Sequence, residues 1–519
     1  MKIPGAINSI RMNVNESKDM LMVFVFAISL VALVFNHAWI SEDSFITFRY
    51  VSNTVNGLGP VFNVGERVQG FTHPLWFILL VLGSMIGVDP ISLSIVYGLV
   101  FTFLTVAILG RAISQLVPNL FTLLLLVALA CLLWGLSDPW ISFQTSGLEN
   151  SLSHLLIVAI LIEAWSHTMS RPGWLLFLVT LLCLTRPDFI IFCMPVVIVL
   201  LIRMRSIRRV FDLAWAGIPA LVWLVFAWTF YGNALPNTAY AKLGIYPNWV
   251  VAVGQGLRYL KDWFTFDTIP AVSAVVLLGF AIFASRSKEK IVCVIGVLFY
   301  GIYIVWIGGD FMRGRMLTPM LTTAVVLGSL TIAESSAQQR DKLKPYEIGI
   351  FITLFLTLFF LQKSRPDPGA LISEYGIVNE RKFYQGYKLS SVVEHGYFES
   401  PHYDQYLADN LRHFSEACGP TTIHLRNPGM VAYLAGPNVS VIDTLGLTDA
   451  YIAKLPRKYL INSTPRPGHP DKYIPVSYLL SKHDIALLPG WVESVSHGDC
   501  SLPSQLAGYH YPSDLYPSP

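Results

Sequence analysis

The sequence predicts a polytopic α-helical membrane bundle followed by a C-terminal α/β domain outside the membrane. Of the 519 residues, 54% are hydrophobic and only 13% are charged, whereas soluble domains carry about 25% charged residues. The apolar residues are also unevenly spread, because apolar runs fill residues 1–363 and no run of about 20 apolar residues occurs in 364–519. A soluble protein is excluded, and the net charge of +3 does not indicate nucleic acid as a partner.

Apolar runs of about 20 residues are long enough to cross the hydrocarbon core as helices. We predict about 11 transmembrane helices, near 20–40, 91–112, 118–136, 150–166, 174–186, 188–203, 211–231, 268–285, 291–307, 317–333 and 348–363. The first is expected to remain as an anchor, because no small-residue cleavage site precedes His37.

One further apolar run, residues 74–88, is short, and the charge of the loops decides how it is interpreted. If it does not cross, the basic clusters at 203–209, 286–290 and 340–344 share a side with the N-terminus, as the positive-inside rule requires. We therefore interpret the run as a re-entrant or interfacial segment within a long first outer loop, residues 41–90. The N-terminus is then cytoplasmic, and the C-terminal domain lies on the opposite side of the membrane.

Five outer loops place polar and ionisable side chains at the predicted membrane surface. They are Glu42, Asp43, Arg49, Arg67 and His73 in the first loop, Glu149 in the second, Arg186 and Asp188 in the third, Asn237 and Lys242 in the fourth, and Asp310, Arg313 and Arg315 in the fifth. Ionisable groups near a membrane are costly and usually face a cavity or a partner. For any single residue, interfacial solvation or a structural ion pair explains the charge equally well.

Carboxylates and cations together at a membrane surface suit group transfer from a lipid phosphate. A carboxylate in a partly dry cleft acts as a general base toward a hydroxyl, and Arg and Lys hold a phosphate. Composition leaves sugar transfer, phospho-group transfer and transport open. The glycine clusters lack the strand–helix context of a nucleotide site, which fits a lipid-linked donor better than a nucleotide sugar.

The first-loop string EDSFITFRYVSNTVNGLGPVFNVGERVQGFTHPLWF resembles the signature of polytopic class C (GT-C) glycosyltransferases. It is most similar to the polyprenyl-phosphate-arabinose-dependent terminal arabinofuranosyltransferases of mycobacterial cell walls. Further similar motifs follow in the same order over nearly the whole chain: TSGLEN, TRPD, YGNALPNTAYAK, GGDFMRGRML, NPGMVAYLAGP, VIDTLGLTDA and RPGH. The resemblance implies a GT-C fold with a catalytic acid in the first outer loop, in agreement with the topology drawn from loop charge.

By this resemblance Asp43 matches the first-loop catalytic aspartate. The family usually has two aspartates there, whereas this chain has Glu42 before Asp43, so both are candidates and Asp43 is favoured. Glu149 matches a second-loop acid that oligosaccharyl transferases of the same class often place near a metal, so a divalent metal is compatible and no other cofactor is implied. The alternative for Glu149 is an acid that the helix dipole favours at a helix N-terminus.

The phosphate candidates are Lys242, Arg313 and Arg315. The two arginines, separated by one glycine, lie near one anion if the loop is extended; alternatively, one of them pairs with Asp310.

The remaining charged candidates each have a structural alternative. Arg49 and Arg67 either contact the phosphate or pair with an acid of the first loop, and His73 either lines the cleft or is structural. Arg186 most simply pairs with Asp188 between adjacent spans.

In the C-terminal part, TTIHL, VSVID and IALLPG are typical of strands and GMVAYLAG of a short helix. The resemblance places this domain beside the site, where Asp443, Asp449 and His469 are candidates for binding the acceptor; for Asp443, capping of a turn is the alternative. Cys418 and Cys500 are the only cysteines of this domain and lie on the oxidising side, so we predict a disulfide between them.

The expected function is transfer of a sugar, by the resemblance arabinofuranose, from a polyprenyl-phosphate-linked donor to a glycan or glycoprotein acceptor outside a bacterial inner membrane. The acceptor is a cell-wall or surface glycan, with a pilin or another surface protein as the alternative. A transporter or flippase for a lipid-linked sugar is a rival of another class. Such proteins place polar sites near the midplane, often with internal repeats, and this sequence shows no repeat.

Overall fold

The computed structural model describes residues 14–117, 119–166, 171–203, 207–242, 245–284, 288–339, 372–384, 402–461, 467–482 and 486–487. The helices in the first part of the chain are α1 Val14–Asn36, α2 Glu42–Val55, α3 Pro74–Ser84, α4 Pro90–Ser114, α5 Leu120–Leu136, α6 Asp138–Ser142, α7 Asn150–Ser166, α8 Pro172–Thr185, α9 Phe189–Ile202, α10 Ile207–Tyr231, α11 Asn237–Lys242, α12 Trp249–Phe266, α13 Thr268–Ala284, α14 Lys288–Trp306 and α15 Thr318–Gln339. The C-terminal part contains α16 Glu380–Phe383, α17 His402–Cys418, β1 Thr421–Leu425, α18 Gly429–Ala435, β2 Val439–Asp443, α19 Ala450–Ala453, α20 Val476–Ser481 and β3 Ala486–Leu487. Short 3-10 helices lie at Arg315–Leu317 and Arg457–Tyr459.

Four segments of the described residues are helical, long and apolar enough to cross a membrane: Asp19–Asn36, Pro90–Ser114, Ala214–Tyr231 and Arg315–Ser336. A fifth is obtained if α12 and α13, which meet at 107°, form one broken span. Shorter apolar helices accompany them. The chain is thus a multi-pass membrane protein, because an apolar helix satisfies its own backbone polar groups within lipid.

The predicted spans fall on helices wherever the structure describes them. Helices α1, α4, α5, α7, α8, α9, α10, α13, α14 and α15 each overlap a predicted apolar run. The last predicted run, 348–363, lies outside the described residues, so the number of crossings stays a prediction. Helix α15 is central, with 89% of its candidate span buried, whereas the span in α10 is only 17% buried and is therefore peripheral.

The first outer loop folds into two helices. Phe45, Phe48 and Val51 recur at helical spacing in α2 and are buried, and α2 packs against α18 of the C-terminal part. Helix α3 begins at Pro74, where a missing backbone N–H costs little. Its 11 residues rise only about 16 Å, roughly half of the hydrocarbon core, a length compatible with the predicted re-entrant segment.

The C-terminal part contains a parallel three-stranded sheet of order β2–β1–β3. Strand β1 pairs with β2 from Thr421↔Val439 to Leu425↔Asp443, and α18 supplies the crossover that parallel neighbours require. The strands and the short helix agree with the sequence patterns. Most of their buried apolar residues belong to the same continuous hydrophobic cluster as α2 and the membrane helices, whereas Ile442 of β2 packs in a small second cluster, so an independent domain over 364–519 stays a prediction.

Two polar side chains of the first loop hold this sheet against α2. The Arg49 guanidinium donates hydrogen bonds to the backbone carbonyls of Ala432 and Val439. The Asn63 amide exchanges two hydrogen bonds of 2.9 Å with the backbone of Val441. Both side chains satisfy backbone groups of α18 or β2. These contacts hold the C-terminal part against the first loop.

Candidate functional site

A cavity of about 350 Å³ lies where the ends of several membrane helices meet the first loop and the C-terminal part. Its polar and ionisable wall consists of Asp43, Thr47, Thr72, His73, Arg186, Asp188, Thr238, Lys242, Tyr303, Asp310 and Arg315. Leu447 and Gly468 of the C-terminal part close one side. The volume is in the range typical of small-ligand sites.

Asp43 and Thr47 present one face of α2 to the cavity, because residues four apart in a helix share a face. Thr47 Oγ1 lies 2.7 Å from His73 Nε2. Burial raises the pKa of Asp43; the positive charges of Lys242 and Arg315 oppose this shift, and the negative charges of nearby acids add to it. Asp43 therefore lies at the wall of a cavity and binds a proton more tightly than an ordinary aspartate does, as a proton acceptor requires.

Glu42 occupies a different environment from its neighbour. Its carboxylate accepts a hydrogen bond of 3.1 Å from the backbone N–H of Met430, and only 5% of the residue is exposed. It is absent from the cavity wall. Of the two adjacent acids, the structure therefore brings only Asp43 to the cavity.

Glu149 is the centre of a buried charge cluster behind the cavity wall. Its Oε1 lies 3.0 Å from Arg315 Nη2 and 3.8 Å from Arg186 Nη1, and its Oε2 lies 3.2 Å from His73 Nδ1. Burial alone would raise the pKa of this carboxyl, but Arg315, His73 and Arg186 together hold it well below its usual range. Glu149 is consequently ionised and fixes the orientation of two arginines.

The cations of the cavity differ in how strongly they are already paired. Arg186 makes two hydrogen bonds to Asp188, of 3.0 and 2.9 Å, as the sequence predicts for this pair. Arg315 lines the cavity while bonded to Glu149. Lys242 also lines the cavity, and none of the ion pairs found in the described part of the chain involves it. It is the cation most available to a new anion.

Arg49 and Arg67 do not line the cavity. Arg49 is 2% exposed. Its guanidinium donates to backbone carbonyls at the junction with the sheet, including Phe62 O at 2.6 Å. Arg67 lies over the ring of Phe230, 4.8 Å from its centroid. Neither is placed to hold the phosphate.

Arg313 and Asn237 are also directed elsewhere. Arg313 Nε lies 3.0 Å from Asp262 Oδ2, so the two arginines around Gly314 do not converge on one anion. The Asn237 amide donates to the carbonyls of Gly446 and Leu447 at 2.8 and 3.2 Å. Asn237 thus joins α11 to the C-terminal part and acts on the cavity only through its neighbours.

The acceptor candidates of the C-terminal part have local roles. Asp443 is fully buried and accepts hydrogen bonds from the backbone of Leu445 and Thr448, which is the turn-capping alternative. Asp449 caps α19. The His469 ring packs against Phe311, with centroids 4.0 Å apart, next to a cavity-lining glycine.

Cys418 is disulfide-bonded. Cys500, the partner that the sequence predicts, lies outside the described residues.

Glu380 is a buried acid near the site that the sequence analysis missed. Its carboxylate accepts a hydrogen bond of 2.9 Å from Ser41 Oγ, at the start of α2. Burial, followed by the negative charge of Asp43, raises the pKa of Glu380 to about 8. No local motif marks this residue, because its partners lie more than 300 positions away in the chain.

The residues around Glu149 do not fit a divalent cation. Two guanidinium groups already neutralise its carboxylate, and they would repel a metal ion at the same place. In the described residues, no group of three or more His, Cys, Asp and Glu is arranged to hold a metal. We therefore derive no step through a metal.

No family model matches the chain. A terminal β-(1→2)-arabinofuranosyltransferase from Mycobacterium tuberculosis is 27% identical over 421 residues, which cover 69% of this chain and 65% of that protein, just under two thirds. A protein of the same name from Corynebacterium glutamicum is 24% identical over 576 residues, covering 93% of this chain and 81% of its own length. Over most of its length the chain is thus similar to two proteins named as terminal β-(1→2)-arabinofuranosyltransferases, and this similarity supports a glycosyltransferase.

Proposed function

We propose that the chain transfers arabinofuranose from a polyprenyl-phosphate donor to a glycan acceptor on the extracytoplasmic side of a bacterial inner membrane. The observation that carries the proposal is one cavity that combines the proton-accepting carboxyl of Asp43 with the cations Lys242 and Arg315. The names of the two relatives support arabinofuranose as the sugar, and the resemblance of the first-loop string implies a cell-wall or surface glycan as the acceptor. The topology that suits this function has about 11 spans, with residues 1–363 in the membrane and 364–519 outside.

The chemistry needs two kinds of group from the protein. The acceptor hydroxyl forms a bond to the anomeric carbon, the bond from that carbon to the phosphate oxygen breaks, and polyprenyl phosphate leaves with the electron pair. Lys242 and Arg315 stabilise the charge that develops on the phosphate, and charge-assisted hydrogen bonds of this type are stronger than neutral ones. Asp43 accepts the proton of the acceptor hydroxyl.

Glu149, His73 and Thr47 orient the groups that react. Glu149 holds Arg315 at the cavity wall. His73 bridges Glu149 and Thr47 and so supports the face of α2 that carries Asp43. Preorganised charges of this kind cost no rearrangement during the reaction.

Transfer by purified protein in lipid nanodiscs tests the proposal. The protein is given polyprenyl-phosphate-linked arabinose, mannose, glucose or aminoarabinose with an arabinan oligosaccharide as acceptor, and the products are analysed by mass spectrometry. We expect transfer of arabinose and little of the other sugars. Transfer of another sugar would refute the donor assignment, and movement of the lipid-linked sugar across the bilayer without transfer would favour a transporter.

A further inference from the structure

The carboxyl of Glu380 lies in a small hollow beside the start of α2 and comes from a part of the chain far from the other site residues. Glu380 is the first residue of α16 and is 6% exposed. Ser41 precedes α2 and makes no side-chain cap to it; instead its hydroxyl donates to Glu380 Oε2 at 2.9 Å. Glu380 therefore contacts the residue that starts the helix carrying Asp43.

The charges around Glu380 come from four elements. From α2 it faces Asp43, and from the loop before α15 it faces Asp310 and Arg315. The small hollow beside it is also lined by Asp138, Arg313 and Arg381.

The three charges of this hollow have other partners. Arg313 pairs with Asp262. Arg381 donates a hydrogen bond of 3.0 Å to the backbone carbonyl of His37, just after α1. Asp138 accepts a hydrogen bond from Asn379. No ion pair of Glu380 itself occurs among the described residues. The charge that acts on it most strongly is the like charge of Asp43.

Two acidic groups that share a dry site do not both ionise easily. Arg315 acts on both carboxyls, whereas Lys242 acts on Asp43 and is not among the charges that act on Glu380, so the cations favour the negative charge on Asp43 and the proton on Glu380. The two carboxyls titrate as a coupled pair. At neutral pH the pair holds one proton, because burial disfavours two negative charges and the nearby cations favour one.

We propose that Glu380 is a positioning residue of the transfer site: bonded to Ser41 and neutral, it fixes the start of α2 and leaves Asp43 as the one negative charge of the pair that faces the donor phosphate. This inference rests on the proposed function. Ionisation of Glu380 would place a second negative charge near the phosphate and weaken donor binding. Since burial and Asp43 raise the pKa of Glu380 to about 8, donor affinity should fall as the pH rises through that value.

Donor binding measured against pH tests the inference apart from transfer. The probe is polyprenyl-phosphate-linked arabinose, whose phosphodiester does not titrate in this range, bound to protein in nanodiscs between about pH 6 and about pH 9.5. For the wild type we expect a loss of affinity of about threefold to tenfold over the alkaline half, since a tenfold change corresponds to one pKa unit of coupling. E380Q keeps a neutral polar group and should lose this alkaline decline.

Two further variants separate positioning from simple stability. D43N removes the neighbouring negative charge, so the alkaline decline should move to lower pH because Glu380 then ionises more easily. E416Q alters an acid whose side chain is 60% exposed, and its profile should match the wild type. A decline that another group of the site causes would persist in E380Q.

The outcomes distinguish this inference from the proposed function. Wild-type protein that binds the donor with no alkaline decline overturns the role of Glu380, as does an E380Q profile that equals the wild-type profile. Wild-type protein that neither binds nor transfers the arabinose donor at any pH overturns the proposed function instead. Because the wild-type profile is decisive by itself, the test does not depend on the folding of a variant.

Discussion

Glu42 and Asp43 are adjacent at the start of α2, yet their carboxylates serve different parts of the molecule. Glu42 accepts a hydrogen bond from Met430 N–H in the C-terminal part, and Asp43 lines the cavity. The sequence motif does not distinguish the two acids. Their side chains leave the helix in different directions, and their roles differ for that reason.

We expect D43N to abolish most of the transfer activity while retaining donor binding. General base catalysis contributes roughly 10²- to 10⁴-fold to rate, and asparagine has the size of aspartate without its ability to accept the proton. The measurement is the rate of transfer from the labelled donor, with donor binding measured in parallel. E42Q is the matched control and should lose thermal stability rather than chemistry; equal losses of rate in both variants would contradict the assignment.

Lys242 should act on the donor more than on the chemical step. K242M removes one charge-assisted hydrogen bond, which is worth roughly 1.5–3 kcal/mol, or about ten- to a hundredfold in affinity. We expect KM for the donor to rise by this factor with a smaller change in kcat. K261M, at an exposed lysine of α12, provides the control, and an unchanged KM in K242M would remove Lys242 from the phosphate site.

Glu149 is predicted to stabilise the bundle through its two arginines. E149Q removes the negative charge that neutralises the buried Arg186 and Arg315. Breaking a buried ion pair costs about 3–5 kcal/mol. The folded-state pKa of Glu149 lies below its ordinary value, so this contribution is present above the unfolded pKa, about 4.3, and is lost only as the pH falls toward the folded-state pKa. Thermal unfolding in detergent at neutral pH measures it.

A surface pair provides the comparison for Glu149. Asp409 and Arg412 form an ion pair whose side chains are about 40% exposed, and such pairs contribute roughly 0–1 kcal/mol. D409N should therefore unfold close to the wild-type temperature. If E149Q and D409N behave alike, the buried cluster does not hold the bundle together.

Arg49 should govern how firmly the C-terminal part is held on the first loop. R49M removes the guanidinium donor from the carbonyls of Val439 and of Phe62, which keeps only the Asn53 amide, and a buried unsatisfied group costs about 1–3 kcal/mol. We expect limited proteolysis to cleave residues 402–461 faster in R49M than in the wild type. R67M, an exposed arginine of the same loop stacked on Phe230, should leave the cleavage rate unchanged; equal rates in R49M and the wild type would refute the docking role.

The sequence was sufficient for the features that depend on local patterns. Apolar runs located the membrane helices that the structure describes, and the strand-like strings TTIHL and VSVID located β1 and β2. Asp43, Lys242, Asp310 and Arg315 were singled out in loop motifs, and all four line the cavity.

Features that depend on distant pairing were not accessible from the sequence. The sequence allows Arg49 to contact a phosphate. Only its contact with β2 in the folded chain shows that its guanidinium donates to backbone carbonyls instead. Arg313 is similarly occupied by Asp262. The helical state of α2 was missed because its buried face is covered by α18, which lies nearly 400 residues away.

The participation of Leu447 and Gly468 in the cavity wall has a consequence for biogenesis. Residue 43 leaves the ribosome long before residue 468, by tens of seconds at the usual rates of synthesis. During that interval Arg49 and Glu42 have no partners from β2 and α18, so the emerging first loop carries uncompensated charges and depends on water or a chaperone. The finished pocket, and with it any reaction inside it, can arise only after Leu447 and Gly468 have been synthesised and have docked on the first loop.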